Sequence, residues 1–253
     1  MPDPEMSPIE RLQERLERYA VSRTREWWER YLKHVIPFRG VKMADIRKAL
    51  HEWLAEEKIV SKRSPEDQVE IALELLRLRY AEDKLSGILY LQEILVPENA
   101  IDCSYDLNQF AGLFREGHIA DWNTCDWFSV KVLGPLVKSK GHECALCIAE
   151  WRTAENLWQR RASGVAFVNL AKKGEDNFPG FTDLVLEVCD ATVRHKERFA
   201  QTGTGWVLRE LGRAEPARVI EFLEDHLDYL SREALKTALE QMPEQVRSRF
   251  LKK

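Results

Sequence analysis

The feature that most constrains the fold is a helical periodicity that recurs along the whole chain. Apolar residues return every three to four positions, as in the stripe formed by Val69, Leu73, Leu76 and Tyr80. That spacing places them on one face of an α-helix, whereas a half-buried strand would show strict alternation, which no segment shows. The sequence therefore predicts an all-α protein in which amphipathic helices bury their apolar faces against one another.

Two helix starts are marked by residue type as well as by periodicity. Ser7 and Glu10 enclose Pro8, which combines a capping box with proline at the first helical position. Ser64 and Asp67 repeat the pattern around a second proline. One predicted helix begins after Ser64, and the others lie at about 24–34, 44–57, 83–95, 104–116, 123–139, 142–150, 155–172, 180–193, 196–213, 216–228, 231–241 and 243–252.

Composition bounds the class of protein. With 253 residues, 44% of them hydrophobic, the chain can bury a substantial core, and we expect one α-helical domain over 1–253 with a flexible 1–6. No apolar run reaches the roughly 20 residues that a membrane span needs. The acidic, polar N-terminus does not resemble a secretory signal. These features indicate a cytoplasmic protein without membrane contact, and we expect it to be a monomer.

The cysteines and the first three tryptophans suggest packing in the core more than a chemical role. Five cysteines, an odd number, argue against a disulfide framework. Cys144 and Cys147 form a single CxxC, for which a complete metal site would need a further ligand pair that the sequence lacks. We therefore favour core packing of these thiols and expect no metal or cofactor, with a zinc site as the alternative. Trp27, Trp28 and Trp53 stand at helical spacing and are likewise predicted to lie in the core.

A weak internal repeat is present. Shifting the chain by 41 residues places Gly164 on Gly205 and Leu170 on Leu211. This period lies in the range of HEAT and armadillo repeats, in which stacked helix pairs form a curved solenoid. Chance matching between two amphipathic helices is the alternative. A solenoid offers a concave face that suits a long polymer such as a peptide or a nucleic acid.

Aromatic, acidic and basic residues gather in three helical segments. Trp122 and Asp126 lie near a predicted helix start, Arg161 follows in a second segment, and Trp206 in a third. Aromatic faces and a carboxylate both attract positive charge. If these segments line one cleft, the cleft suits a cationic substrate.

The same segments carry a resemblance to a known family. They are Tyr31-Leu32-Lys33-His34-Val35-Ile36-Pro37-Phe38-Arg39-Gly40-Val41-Lys42, then Trp122-Asn123-Thr124-Cys125-Asp126 with Leu133-Gly134, and finally Trp158-Gln159-Arg160-Arg161-Ala162 with Gly205-Trp206-Val207-Leu208-Arg209-Glu210. In these residues the chain, over about 10–240, resembles the AlkD-like DNA-alkylation-repair glycosylases, which are HEAT-like helical proteins. It departs from the family's usual Thr-Pro and paired arginines, because Met43-Ala44-Asp45-Ile46-Arg47 stands there instead.

The resemblance implies both an activity and a set of roles. The activity is hydrolysis of the N-glycosidic bond of purines alkylated at N3 or N7 in duplex DNA, as in base excision repair. By the same resemblance Asp126 is the catalytic carboxylate, with Trp122 and Trp206 beside the lesion. The resemblance also implies a concave DNA-binding face. Its further DNA contacts would be Arg161, Tyr31, Arg209, Lys42 and Arg47.

Plainer interpretations remain for each residue and for the function. Asp126 would also be explained as a first-turn acid favoured by the helix dipole, and the tryptophans as packing. Arg161 would pair with Glu155 or Glu150 if it is structural. A non-catalytic scaffold or a protein that only binds damaged DNA is the alternative function. The net charge of −4 disfavours DNA binding unless basic residues such as Arg161 and Arg209 collect on one face, which we expect to be the concave one.

Overall fold

The computed structural model describes residues 6–252, and within that range every regular element is helical. The all-α prediction is therefore confirmed for this part of the chain. Residues 1–5, most of the expected flexible terminus, lie outside it. The chain groups into two compact units. The first contains the chain up to Asp102 together with Glu116–Thr124, and the second contains Cys103–Arg115 together with the chain from Cys125 onward. A single domain over 1–253 stays a prediction.

The first unit begins at the predicted capping box. Ser7 Oγ accepts the Glu10 N–H at 3.2 Å, and the Glu10 carboxylate accepts the Ser7 N–H at 2.7 Å. Ser64 Oγ likewise accepts the Asp67 N–H at 3.2 Å. Both predicted helix starts are confirmed. The helices of this unit are α1 Pro8–Glu17, α2 Ser22–Tyr31, α3 Met43–Glu56, α4 Ile59–Lys62, α5 Pro65–Arg77 and α6 Ala81–Tyr90, which continues into a π turn at Leu91–Leu95.

The end of α2 differs from the sequence prediction. The helix was expected to run to about His34 but ends at Tyr31, because Lys33 and His34 adopt left-handed backbone angles, with φ of 52° and 58°. Trp27 is also placed differently, since 55% of it is exposed, so its predicted burial is wrong. Trp53 is fully buried as predicted, and Trp28 packs in part against the core by stacking on Phe38.

A buried carboxylate fixes the loop that follows α2. Glu82, wholly inaccessible, accepts the backbone N–H groups of Arg39, Gly40 and Val41 at 2.9, 2.8 and 3.1 Å. Gly40 has φ of +93°, and a Cβ there would lie 2.4 Å from Val21 O. Only glycine meets both conditions, which gives a physical reason for the Phe38-Arg39-Gly40-Val41 segment.

The second unit carries most of the remaining helices. None of the described helices is long and apolar enough to cross a membrane. The helices are α7 Cys103–Arg115, α8 Trp122–Phe128 (in this unit from Cys125), α9 Gly134–Lys140, α10 His142–Ala149, α11 Leu157–Val165, α12 Val168–Ala171, α13 Phe181–Val193, α14 Arg198–Leu211, α15 Pro216–Asp225, α16 Arg232–Leu239 and α17 Glu244–Leu251. Between α8 and α9 the helix passes through a π turn at Ser129–Leu133, where the Gly134 N–H donates to Ser129 O.

The two glycines matched by the 41-residue shift occupy similar places. A Cβ on Gly164 of α11 would lie 3.4 Å from Val207 of α14, and one on Gly205 of α14 would lie 2.6 Å from Ala234 O of α16. Each therefore faces a neighbouring helix. This supports a repeated helix arrangement, and the HEAT-like assignment stays a prediction.

These contacts predict different responses to the same substitution. Gly205→Ala is expected to lower the free energy of unfolding by about 1–3 kcal/mol, because its Cβ meets backbone that must move. Gly164→Ala makes only an ordinary contact and gains helix propensity, so it is expected to be neutral or stabilising by up to about 1 kcal/mol. Urea unfolding followed by circular dichroism measures both. Equal losses in the two variants would contradict this view of the packing.

Candidate functional site

Asp121 caps the start of α8. Its Oδ1 accepts the Thr124 N–H at 2.9 Å, and the residue is buried in the first unit. Burial raises the pKa of this carboxyl above its ordinary range, although the hydrogen bonds from Thr124 oppose the shift. Asp121 is thus committed to the start of the helix.

Asp126, on α8 in the second unit, forms a bidentate ion pair with Arg161 of α11. Arg161 Nε lies 2.7 Å from Oδ1, and Nη2 lies 2.9 Å from Oδ2. About 16% of the Asp126 side chain remains exposed. Each carboxylate oxygen has a second lone-pair direction, so Asp126 can accept a further hydrogen bond from water or face a cation while Arg161 holds it.

Arg161 is almost fully committed to protein partners. Its Nη1 donates to Phe199 O at 2.7 Å and to Thr202 Oγ1 at 3.2 Å, both on α14. Burial by itself would lower the pKa of this guanidinium, but the bonds to Asp126 outweigh that effect and raise it. The ion pair considered for Arg161 in the sequence, with Glu155 or Glu150, is replaced by the one with Asp126. Its predicted role as a phosphate ligand is not tested by these contacts.

Small residues on α14 make room for this guanidinium. A Cβ on Gly203 would lie 3.1 Å from Arg161 Nη1. Thr202 and Trp206 are four residues apart on α14, so they share a face of that helix. The second unit therefore joins Asp126 and Arg161, and it places the half-buried Trp206 one turn from Thr202, which accepts a hydrogen bond from Arg161. The sequence did not single out Thr202 and Gly203, although their position about one turn before Trp206 marks them as neighbours of the site.

The first unit brings together two other predicted residues. The Tyr31 ring meets the Trp122 ring edge-on, with centroids 5.4 Å apart. Tyr31 also stacks on Trp27, with ring centroids 5.1 Å apart and an angle of 13° between the ring planes. Trp27, Tyr31 and Trp122 form an aromatic row, and Tyr31 is 52% exposed.

The remaining predicted DNA contacts lie elsewhere. Lys42 is exposed at the position before α3, and Arg47 pairs with Glu93 at 2.7 Å. Arg209 bonds Glu210 and Glu240, at 2.9 and 2.8 Å. In the described chain Arg161 and Arg209 therefore both have carboxylate partners. The predicted positive face around them stays a prediction.

The cysteines divide into two kinds. Cys144 is buried, with its Sγ 2.6 Å from Cys103 Sγ, whereas Cys147 is exposed. The core interpretation therefore holds for Cys144 and is wrong for Cys147. Within residues 6–252, no three His, Cys, Asp or Glu side chains are grouped as metal ligands.

Known proteins show what this chain is similar to. The sequence model of a family described as "DNA alkylation repair enzyme" matches residues 12–242. Among solved structures, a chain described as "Predicted DNA alkylation repair enzyme from Enterococcus faecalis" superposes with a TM-score of 0.74. The two share 19% identity over 89% of this chain and 97% of the other, a likeness that shows the fold. No curated protein sequence matches the chain significantly.

Proposed function

We propose, from the premise that the chain belongs to the DNA alkylation repair enzyme family, that it is a monofunctional DNA glycosylase. Its substrate is duplex DNA that contains a cationic purine alkylated at N3 or N7, such as 3-methyladenine, 7-methylguanine or a bulkier adduct. The observation that carries the proposal is the Asp126 carboxylate, fixed by Arg161 yet still in part exposed.

The chemistry needs little more than a positioned carboxylate. As the N-glycosidic bond breaks, its electron pair moves to the purine nitrogen, and the base leaves uncharged. The positive charge passes to the deoxyribose as an oxocarbenium ion, which a carboxylate stabilises more than it stabilises the substrate. A water then adds to the sugar carbon and gives up a proton, for which Asp126 is the acceptor.

One carboxylate suffices because the leaving group is already cationic. Ordinary glycoside hydrolysis uses a second carboxyl group to protonate the departing oxygen. Alkylation at N3 or N7 supplies that charge in advance, so no general acid is required. The pairing of Asp126 with one arginine, and not with a second acid, is compatible with this reaction.

Arg161 is better suited to positioning Asp126 than to holding a phosphate. Four hydrogen bonds already engage its guanidinium, two of them to Asp126 and two to α14. Trp206, one turn from Thr202 on α14, is proposed to hold the lesion sugar by its ring face. Trp122 and Tyr31, adjacent in the first unit, are proposed as further DNA contacts.

Arg161→Lys separates the two roles of this residue. Lysine keeps the charge but loses the planar fork, so Asp126 is no longer held at both oxygens. We expect base release to slow by about 10- to 100-fold while affinity for alkylated duplex changes little. Single-turnover kinetics and binding isotherms measure the two. A loss of affinity with an unchanged rate would instead identify Arg161 as a phosphate ligand.

The function itself is tested by base release. We expect the protein to liberate free 3-methyladenine or 7-methylguanine from a methylated duplex, measured by chromatography of the released base. A protein that shifts the damaged duplex in a gel but releases nothing would be a damaged-DNA binder. A protein that neither binds nor releases would be a scaffold for another partner.

We further propose that the protein acts as a monomer in the cytoplasm, on chromosomal DNA. One chain carries the paired Asp126 and Arg161 without help from a second copy. Light scattering of the protein with an alkylated duplex is expected to give one chain per DNA at the concentration at which base release is measured. A dimer required for release would contradict this.

A further inference from the structure

The first unit contains a cleft that the proposed chemistry does not use. Its volume is about 240 Å³, and the loops after α2, α5 and α7 contribute to its walls. Four basic residues line it: Arg77, Arg79, Lys84 and His118. We refer to this set as the basic cleft. Such a concentration of positive charge is notable in a chain whose net charge is −4.

The charges of the basic cleft are only partly compensated. Arg77 pairs with Glu70 at 2.5 Å, and His118 lies 3.3 Å from Glu116. Arg79 is exposed and lies over the Tyr80 ring, and within residues 6–252 it forms no ion pair. Asp121, the one carboxylate in the lining, is already engaged as the cap of α8.

Lys84 is the most constrained member. It is buried, and its Nζ donates to Leu76 O at 2.6 Å. Burial lowers its pKa to about 8, against the opposing effect of Asp121 and Asp83. Burial also lowers the pKa of His118, and the charges of Lys84 and Arg77 add to that shift. The charges of Lys84 and Arg77 therefore disfavour protonation of His118, and an anion in the cleft would offset those charges.

The aromatic row lies close to the basic cleft along the sequence. Val35, four residues after Tyr31, lines the cleft and is 62% exposed. Trp27 and Tyr31 present exposed ring surface to solvent. Exposed aromatic rings beside a cationic groove are the two parts of a surface that binds a nucleic-acid strand, because rings contact sugars and bases while cations hold phosphates.

We propose that the basic cleft binds one phosphodiester group of a DNA strand whose adjoining sugar and base edge lie on Trp27 and Tyr31. The inference rests on the proposed function only for the identity of the strand as DNA. It assigns phosphate binding to Arg77, Arg79, Lys84 and His118, and it gives Trp27 a contact role. The anionic phosphodiester, and not an acidic protein, is the occupant because only it pairs with the cations and the rings together.

The salt dependence of binding tests the cationic part. Each phosphate contact contributes about 0.9 to the slope of log affinity against log salt. We expect Arg77→Gln/Arg79→Gln to lower affinity for an unmodified duplex by about tenfold at low salt and to reduce the slope by about one. The matched control is Lys62→Gln/Arg63→Gln, which removes two exposed cations outside the cleft and is expected to leave the slope unchanged. Equal effects of the two double variants would overturn the proposal.

Trp27→Ala tests the aromatic part by a different readout. The variant keeps every charge, so it is expected to weaken binding about threefold or more without changing the slope. Trp53→Phe, which alters a wholly buried indole far from solvent, serves as the control for tryptophan loss. Unaltered affinity in Trp27→Ala would overturn the placement of the strand on the aromatic row.

The failure of this inference is distinguishable from the failure of the proposed function. If the cleft variants bind as the unaltered protein does while base release persists, the cleft proposal is wrong and the glycosylase stands. If the variants lose affinity although no alkylated base is ever released, the cleft is a DNA contact of a non-catalytic protein. A further test is competition between DNA and inorganic phosphate alone at millimolar concentration. If phosphate displaced DNA equally from Arg77→Gln/Arg79→Gln and from Lys62→Gln/Arg63→Gln, the cleft would not be a phosphodiester site.

Discussion

Asp126→Asn is expected to slow base release from alkylated duplex DNA by about tenfold to a thousandfold, with DNA binding close to that of the unaltered protein. The amide keeps size and polarity but removes the charge that faces the oxocarbenium ion. It also weakens the two bonds to Arg161, at 2.7 and 2.9 Å. The rate of base release cannot fall below the spontaneous rate, because a cationic purine departs slowly even without a catalyst. Single-turnover release of 7-methylguanine and of 3-methyladenine measures the effect.

Asp121→Asn is the internal control for this prediction. Asn keeps an acceptor for the Thr124 N–H, so the cap survives and the loss of stability is expected to be at most about 1 kcal/mol. Base release should remain near normal. If Asp126→Asn kept full activity while Asp121→Asn lost it, the catalytic role proposed for Asp126 would be wrong. Normal activity in both variants would favour a scaffold.

Glu82→Ala is expected to give the largest loss of stability among the substitutions considered, about 3–5 kcal/mol. It leaves the N–H groups of Arg39, Gly40 and Val41 without their acceptor in a place that water does not reach. Urea unfolding followed by circular dichroism measures the change. The lowered transition should be that of the first unit, to which the loop and α6 belong.

Glu29→Ala is the matched control, because Glu29 lies on α2 and its side chain contacts the same loop. Glu29 accepts a single N–H, that of Phe38, at 3.3 Å, and its side chain is only half-buried. Its loss is expected to cost less than about 1 kcal/mol. A comparable loss in both variants would show that the loop depends on negative charge in general and not on the three bonds to Glu82.

Local patterns in the sequence predicted local structure well. The capping box at Ser7, the N-cap at Ser64 and the burial of Trp53 follow from residue type and period alone. The end of α2 did not follow, because the left-handed turn at Lys33 and His34 leaves no mark in residue type. Trp27 shows the limit of periodicity, which tells which residues share a helix face but not whether another helix covers that face.

The sequence did not predict which residues pair when they lie far apart along the chain. The sequence offered Glu155 and Glu150 as partners of Arg161, and the structure pairs it with Asp126, 35 residues away. The same holds for Glu82, which directly precedes the helix predicted at about 83–95 and accepts backbone N–H groups more than 40 residues earlier. Such contacts depend on how helices pack, so residue type names the candidates and only the fold selects the partner.

The π turn between α8 and α9 makes the length of that segment as important as its composition. At Ser129–Leu133 the Gly134 N–H reaches back five residues, so the helix holds one residue more than an α-helix of the same rise. Deletion of one residue there would restore regular α-helical hydrogen bonding without turning the helix downstream, whereas deletion of one residue from a regular turn would rotate everything downstream by about 100°. A deletion of the second kind, between Asp126 and Ser129, would leave Asp126 in place and turn Leu136 and Val137 of α9 out of the core. Natural variation in length by one residue is therefore expected at 129–133 and not in the flanking α-helical turns.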